Sequence, residues 1–187
     1  KRLAEFDIPH TFSGVFSWEL PFGRNRRFVS SAGPLVNGIF GGWNVSGQYF
    51  WRSGQPLEFP NAAPVAARSA KIERGDGWNP IFDPAFDTTA FPRTAQAPFT
   101  LRDFPTRFPD VRSTPLQSWE LSGYKNFRVT ERVAAQFRAD FQNAFNSAHF
   151  GRLASRPNNV QDSRFGLLDP AQDNQPRVIV LVLKVIF

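Results

Sequence analysis

Apolar and polar residues alternate along five stretches of the chain, and each stretch reads as a β-strand with one apolar row and one polar row. In the first, about 11–22, Phe12, Gly14, Phe16, Trp18, Leu20 and Phe22 oppose Thr11, Ser13, Val15, Ser17 and Glu19. The second, about 43–57, sets Trp43, Val45, Gly47, Tyr49 and Trp51 against Asn44, Ser46, Gln48, Phe50 and Arg52. The third, about 116–129, sets Trp119, Leu121, Gly123, Phe127 and Val129 against Ser118, Glu120, Ser122, Tyr124, Asn126 and Arg128. Lys125 interrupts its apolar row, which fits a lysine snorkelling near an interface or a bulge that changes register. The fourth, about 132–146, alternates Val133, Ala135, Phe137, Ala139, Phe141 and Phe145 with Arg132, Ala134, Gln136, Arg138, Asp140, Gln142 and Asn146, and only Asn143 departs from the apolar row. The last, about 177–187, places Ile179, Leu181, Leu183, Val185 and Phe187 on one face and Val178, Val180, Val182, Lys184 and Ile186 on the other. Taken alone, this last stretch also fits the central strand of a soluble sheet.

Nothing carries the 3.6-residue period of a long amphipathic helix, so the chain is expected to be nearly all β, with one short helical turn in 35–40 ended by Gly41-Gly42. A ten-residue strand rises roughly 33 Å, and a tilt near 45° projects that to about 23 Å, the height of the apolar band of an outer-membrane barrel. The connections differ in kind. Residues 130–131 make a tight turn, with 23–42 on the same side, whereas 58–115 and 147–175 are long and rich in Pro, Gly, Asn, Asp and Arg. This is the asymmetry of a barrel with short periplasmic turns and long extracellular loops. The expected fold is an antiparallel transmembrane β-barrel fragment. Phe16, Trp18, Trp43, Tyr49, Trp51, Trp119, Phe137 and Phe141 would face lipid or its interfaces. Glu19, Gln48, Arg52, Glu120, Arg128, Gln136, Arg138, Asp140 and Lys184 would face a wet lumen, since unpaired charges buried in a packed core cost several kcal/mol.

Composition agrees with that picture. Among 187 residues there are 21 Phe and 5 Trp, a high aromatic load that suits lipid-facing strands with interfacial girdles. Mean hydropathy is nevertheless negative, because alternation hides apolarity in a polar average. The net charge of +6 comes from arginines scattered through loops and polar rows, not from one basic stripe, so no nucleic-acid partner is expected. With no cysteine there is neither a disulfide scaffold nor a thiolate metal site. No apolar run approaches the roughly 18–20 residues of a spanning helix. Residues 1–5 lack the features of a signal peptide, so any export signal lies upstream of the sequence or does not exist.

Candidate chemistry is sparse. His10 and His149 stand without the carboxylate spacing of a metal site and read as structural or surface residues. Gly75-Asp76-Gly77 lacks the remaining ligands of a calcium loop and reads as a turn. Ser30-Ser31, Ser53-Gly54 and Ser122-Gly123 have no matched histidine base, so no nucleophile, enzyme activity or cofactor is expected. Trp43, Trp51, Trp78 and Trp119 fit a membrane belt and, alternatively, sugar stacking in a soluble or surface β-sandwich. In the longest loop Trp78, Phe82, Phe86, Phe91, Phe99, Phe104 and Phe108 are interleaved with Arg and Pro, which favours self-packing; Trp78, Phe82, Arg102 and Arg107 are the candidates for ligand contact.

Particular residues also carry a family likeness. Asp7-Ile8-Pro9-His10-Thr11-Phe12, Glu19-Leu20-Pro21-Phe22-Gly23, Gly41-Gly42-Trp43-Asn44-Val45-Ser46-Gly47 and Ser53-Gly54-Gln55-Pro56-Leu57 resemble the closing strands of Oar-like TonB-dependent receptors. Trp119-Glu120-Leu121-Ser122, Lys125-Asn126-Phe127-Arg128, Thr130-Glu131-Arg132, Phe137 to Asn146 and His149-Phe150-Gly151 follow in the same order as that family's carboxyl-terminal pattern. The likeness spans nearly the whole chain except about 61–114. It implies the last five strands of a barrel of about 22, located in the bacterial outer membrane. The implied partners are the rest of the barrel and its plug, a TonB-type energy-transducing complex acting through the plug, and outer-membrane lipid. It also implies that Phe187, with Val185, Leu183, Leu181 and Ile179, forms the signal read by the barrel assembly machinery. The role implied is capture and import of a ligand; an adhesion or structural barrel without transport shares the same fold.

Overall fold

A computed structural model describes residues 3–31, 33–59, 70–94, 97, 99, 105–128, 130–154 and 160–187. Its elements are β1 (Thr11–Glu19), α1 (Pro34–Phe40), β2 (Trp43–Arg52), β3 (Pro56–Glu58), a 3-10 turn (Thr88–Ala90), β4 (Arg107–Arg112), β5 (Leu116–Arg128), β6 (Ala134–Gln142) and β7 (Val178–Ile186). The chain divides into two compact units. One contains Phe12–Trp51, Gln117–Ser147 and Gln175–Phe187; the other contains Lys1–Thr11, Arg52–Leu116 and Ala148–Asn174.

The first unit is one sheet of five strands in the order β1-β2-β5-β6-β7, so every strand lies beside its predecessor among the five. β5 pairs antiparallel with β6 from Leu121↔Phe141 to Arg128↔Ala134, and β6 with β7 from Ala134↔Ile186 to Gln142↔Val178, both without a register break. Lys125 sits opposite Phe137 in that unbroken ladder, which excludes the bulge. For β1 and β2, the Leu20 N–H donates to the Trp43 carbonyl and the Ser53 N–H to the His10 carbonyl, fixing an antiparallel pair from both ends. The sheet does not close, and β1 and β7 are its edges. Between β5 and β6, the Thr130 hydroxyl oxygen accepts from the N–H groups of Arg132 and Val133 and makes the tight turn.

Several strand ends differ from expectation. Alternation continues through Leu20 and Phe22, yet β1 stops at Glu19 because Pro21 cannot donate to a ladder and Gly23, at φ 119°, starts a turn. Residues 56–58 leave the sheet and form β3, paired with β4 in the second unit. β6 ends at Gln142 because Asn143 and Asn146 adopt left-handed backbone angles, 46° and 54° in φ, so Phe145 belongs to a turn and not to the strand.

The second unit has its own core. Phe59, Phe86, Phe91, Phe108 and Phe165 pack ring against ring, with Phe59 stacked on Phe91 at 5.0 Å and the others meeting edge to face. Leu57, Val111, Val160 and Leu168 complete it, and residues of both long connections contribute. Arg112 ties the entry segment to this unit, donating to the Asp7 carboxylate at 2.6 Å and to the carbonyls of Asp7 and Gly54. The described parts of the expected long loops are therefore a folded body in which aromatic side chains, not a regular backbone period, supply the organisation.

Candidate functional site

The strand registers collect the alternating residues into two continuous rows. Gln136 stands between Asn126 and Lys184, Arg138 between Tyr124 and Val182, and Asp140 between Ser122 and Val180. On the opposite face Phe137 stands between Lys125 and Leu183, Ala139 between Gly123 and Leu181, and Phe141 between Leu121 and Ile179. Phe16 and Leu121 both close on Gly47, whose missing β-carbon leaves room for them, so β1 and β2 continue the same apolar row.

Polar side chains on the first face satisfy one another. Asp140 accepts from the Ser122 hydroxyl at 2.6 Å and from Arg138 Nε at 2.8 Å. Gln136 Nε2 donates to Asn126 Oδ1 at 2.8 Å, and Glu120 accepts from the Ser118 hydroxyl and the Asn143 N–H. Gln48, Glu120, Ser122, Arg138 and Asp140 help line an open concavity of about 590 Å³. Arg52 and Arg128 lie at strand ends, Glu19 pairs with Arg26, and Lys184 is the one charge of the terminal strand.

The apolar face carries aromatics in two bands. Phe12 approaches Tyr49 at 6.0 Å, Tyr49 lies 4.6 Å from Trp119, and Trp119 meets Phe145 edge-on at 6.0 Å. At the other end of β2, Trp43 meets Phe137 edge-on at 6.1 Å. Tyr49 and Trp43 are six residues apart, about 20 Å along a strand, and Gly47, Leu121, Gly123 and Ala139 lie on the row between the bands. Among the described residues, every buried hydrophobic side chain belongs to the second unit, whereas Phe12, Phe16, Trp18, Ile179, Leu181 and Leu183 are exposed. Among the described residues, the apolar face of the sheet contributes no hydrophobic side chain to a buried core.

That combination of uncovered apolar row, polar opposite row and strands of nine to thirteen residues belongs to a membrane barrel. Residues 1–179 match the family described as outer membrane beta barrel domain. The chain belongs to this family. No curated protein and no solved structure matches it. The outer-membrane domain thus resides in the bacterial outer membrane and crosses it with antiparallel strands; no described helix is long and apolar enough to cross a membrane.

The described ligand-contact candidates, Trp78, Phe82 and Arg107, lie in the folded connection unit. Arg107 is only 13% exposed at its side chain and pairs with Glu58 and Glu5, which makes it a structural tie and not a free cation. Trp78 packs against the phenylalanine core, donates to the Pro84 carbonyl at 3.0 Å and lies under Arg74 at 4.3 Å. Phe82 is 76% exposed and, among the three described, is the one open to a ligand. Arg102 and Phe104 lie outside the described residues. Phe86, Phe91 and Phe108 are core, while Phe99 is exposed. Phe187 follows β7 and is exposed.

Two structural roles escaped the alternation pattern. Lys125 is buried, and its ammonium donates to the carbonyls of Asn37 and Gly38 at the end of α1, where a cation is favoured. Asn143 donates to the Ser147 and Gln175 carbonyls and accepts from the Ser147 N–H, closing the turn after β6. Both were visible only as residues that broke an apolar row. His149 is buried, with its N–H donating to Asn174 Oδ1 at 2.7 Å and its ring 3.2 Å from the Thr114 hydroxyl. Among the described residues no three His, Cys, Asp or Glu side chains form a metal-holding group.

Proposed function

We propose that this domain is part of the wall of a TonB-dependent outer-membrane receptor that captures a ligand outside the cell and imports it with energy delivered through a plug in the same protein. The observation that carries the reading is the separation of the sheet into an uncovered apolar row and a mutually bonded polar row. The apolar row suits lipid. The polar row offers a plug and a passing ligand a hydrated, hydrogen-bonding surface. Both edges of the sheet present unpaired backbone groups, which in lipid cost several kcal/mol each, so the reading includes flanking strands that complete a barrel of about 22. On this reading the folded connections supply the capture surface, and the ordered motifs from Asp7 to Gly151 supply the likeness to Oar-like receptors.

The test is retention of a soluble carboxyl-terminal domain of TonB by the purified full-length protein in detergent. Specific retention, lost when the TonB-contacting segment is deleted, is the expected result. A correctly inserted full-length protein that retains no TonB domain would exclude import and leave the adhesion or structural barrel.

A further inference from the structure

The connection between β1 and β2 is built to a degree that a turn between neighbouring strands does not require. Phe22 and Phe28 form an isolated bridge, and Arg24 donates its backbone N–H to Asn37 Oδ1 at 2.7 Å. Gly23 and Gly41 touch so closely that a β-carbon on Gly23 would stand 2.8 Å from the Gly41 α-carbon and from Asn37 Oδ1. Trp43 Nε1 donates to the Ile39 carbonyl at 2.8 Å, and Lys125 binds the carbonyls of Asn37 and Gly38. Three consecutive carbonyls at the end of α1 are thus held by two side chains of the apolar row. The helix is fixed in place, yet none of its residues is buried.

What it displays is apolar. Leu35 is 82% exposed, and Val36, Ile39, Phe40, Phe28 and Val29 are also exposed. Leu20, Phe22, Val29, Val36, Phe40 and Trp43 line an open cavity of about 600 Å³. Trp43 belongs to the row that contacts Phe137, so this cavity continues the apolar face of the sheet. Beside it is a second cavity of about 430 Å³, which shares Phe22 and is lined by Arg24, Arg26, Lys125 and Arg128 but by no Asp or Glu. Arg26 is engaged by Glu19 and Lys125 by the helix, and Arg128 belongs to the polar row of β5, whereas the Arg24 guanidinium has no acidic partner among the described residues.

We propose that the 20–42 connection is a binding site for an anionic glycerophospholipid, with Arg24 holding the headgroup phosphate and the acyl chains lying in the cavity formed with Phe22, Phe40 and Trp43. A fixed apolar helix flanked by cations is the chemistry of an interfacial lipid anchor. The occupant is lipid because the apolar half is continuous with the face of a family that spans a membrane. In the orientation with the long connections outside, the site lies at the periplasmic leaflet. The inference rests on the lipid-facing assignment of the apolar row.

The test is native mass spectrometry of the full-length protein released from detergent with equal phosphatidylglycerol and phosphatidylcholine. Retention of phosphatidylglycerol should exceed that of phosphatidylcholine by about fivefold or more, and the R24E variant should lose that preference while R24K keeps most of it. Equal retention of the two lipids by the unaltered protein overturns the proposal whether or not a variant assembles. So does removal of the bound lipid by excess inorganic phosphate, which identifies a free-anion site. A nitroxide at Leu35→Cys in vesicles separates this result from the facing assignment: greater accessibility to oxygen than to a water-soluble nickel chelate is expected. Water-like accessibility at Leu35 in a barrel whose apolar row proves lipid-facing would overturn the site alone.

Discussion

A β-carbon at Gly54 would stand 2.2 Å from the Ser113 carbonyl oxygen, a backbone atom that cannot swing aside. The same two segments exchange bonds there, Ser113 N–H to the Gln55 carbonyl and Gln55 N–H to the Ser113 hydroxyl. Gly54→Ala is expected to cost about 1–3 kcal/mol through forced backbone displacement, read as faster hydrogen exchange across β3 and β4; unchanged exchange would refute the close approach. His149 gives a pH dependence in the same unit. Burial holds its imidazole below the ordinary range, opposed by its bond with the Pro115 backbone and the Asp173 charge. The folded unit therefore prefers neutral histidine, and the unfolded chain takes up the proton first. The stabilisation is complete above about pH 6.5 and is lost as pH falls from there through the folded-state value. Hydrogen-exchange protection of 148–154 and 160–174 should drop on acidification below that point, and His149→Gln should flatten the change.

At the scale of elements, the facing of β6 can be tested by moving one charge between adjacent rows. Ala139 lies between Gly123 and Leu181, and Gln136 between Asn126 and Lys184. In the full-length barrel Ala139→Arg is expected to cost roughly 2–4 kcal/mol if it lies near midplane, and Gln136→Arg much less, in chemical unfolding from vesicles. Equal costs would remove the lipid and lumen assignments. These rows were legible in the sequence because a strand's side-chain period of two survives without tertiary information. Strand ends were not, since parity runs on to Phe22 after Pro21 has ended the ladder. A helical turn at 35–40 was legible from the Gly41-Gly42 pair that ends it, but its attachment was not: Lys125 is far from it in sequence and reaches it only through the register of β5.

At the scale of the whole molecule, one chain uses its phenylalanines in two opposite ways. In the sheet they are displayed, and in the connections they form a core. The connections could not be read from periodicity because ring-to-ring packing imposes no spacing on the backbone, and so core rings such as Phe86 looked no different from exposed Phe82. The contrast yields a paired prediction. Phe86 is fully buried, with ring centroids of Phe59, Phe91 and Phe165 within 5.4 Å, so Phe86→Ala should cost about 3–5 kcal/mol in the connection unit. Phe82→Ala, at an exposed site, should stay within about 0.5 kcal/mol. Limited proteolysis of full-length protein in outer-membrane vesicles should therefore cleave the Phe86 variant within 70–94 or 160–174 much sooner than the Phe82 variant. On the proposed lipid facing of their apolar row the strands should remain protected, since no described sheet residue belongs to that core. Simultaneous loss of strand protection would show that the sheet depends on the phenylalanine core, and equal cleavage of the two variants would show that Phe86 does not hold the connections together.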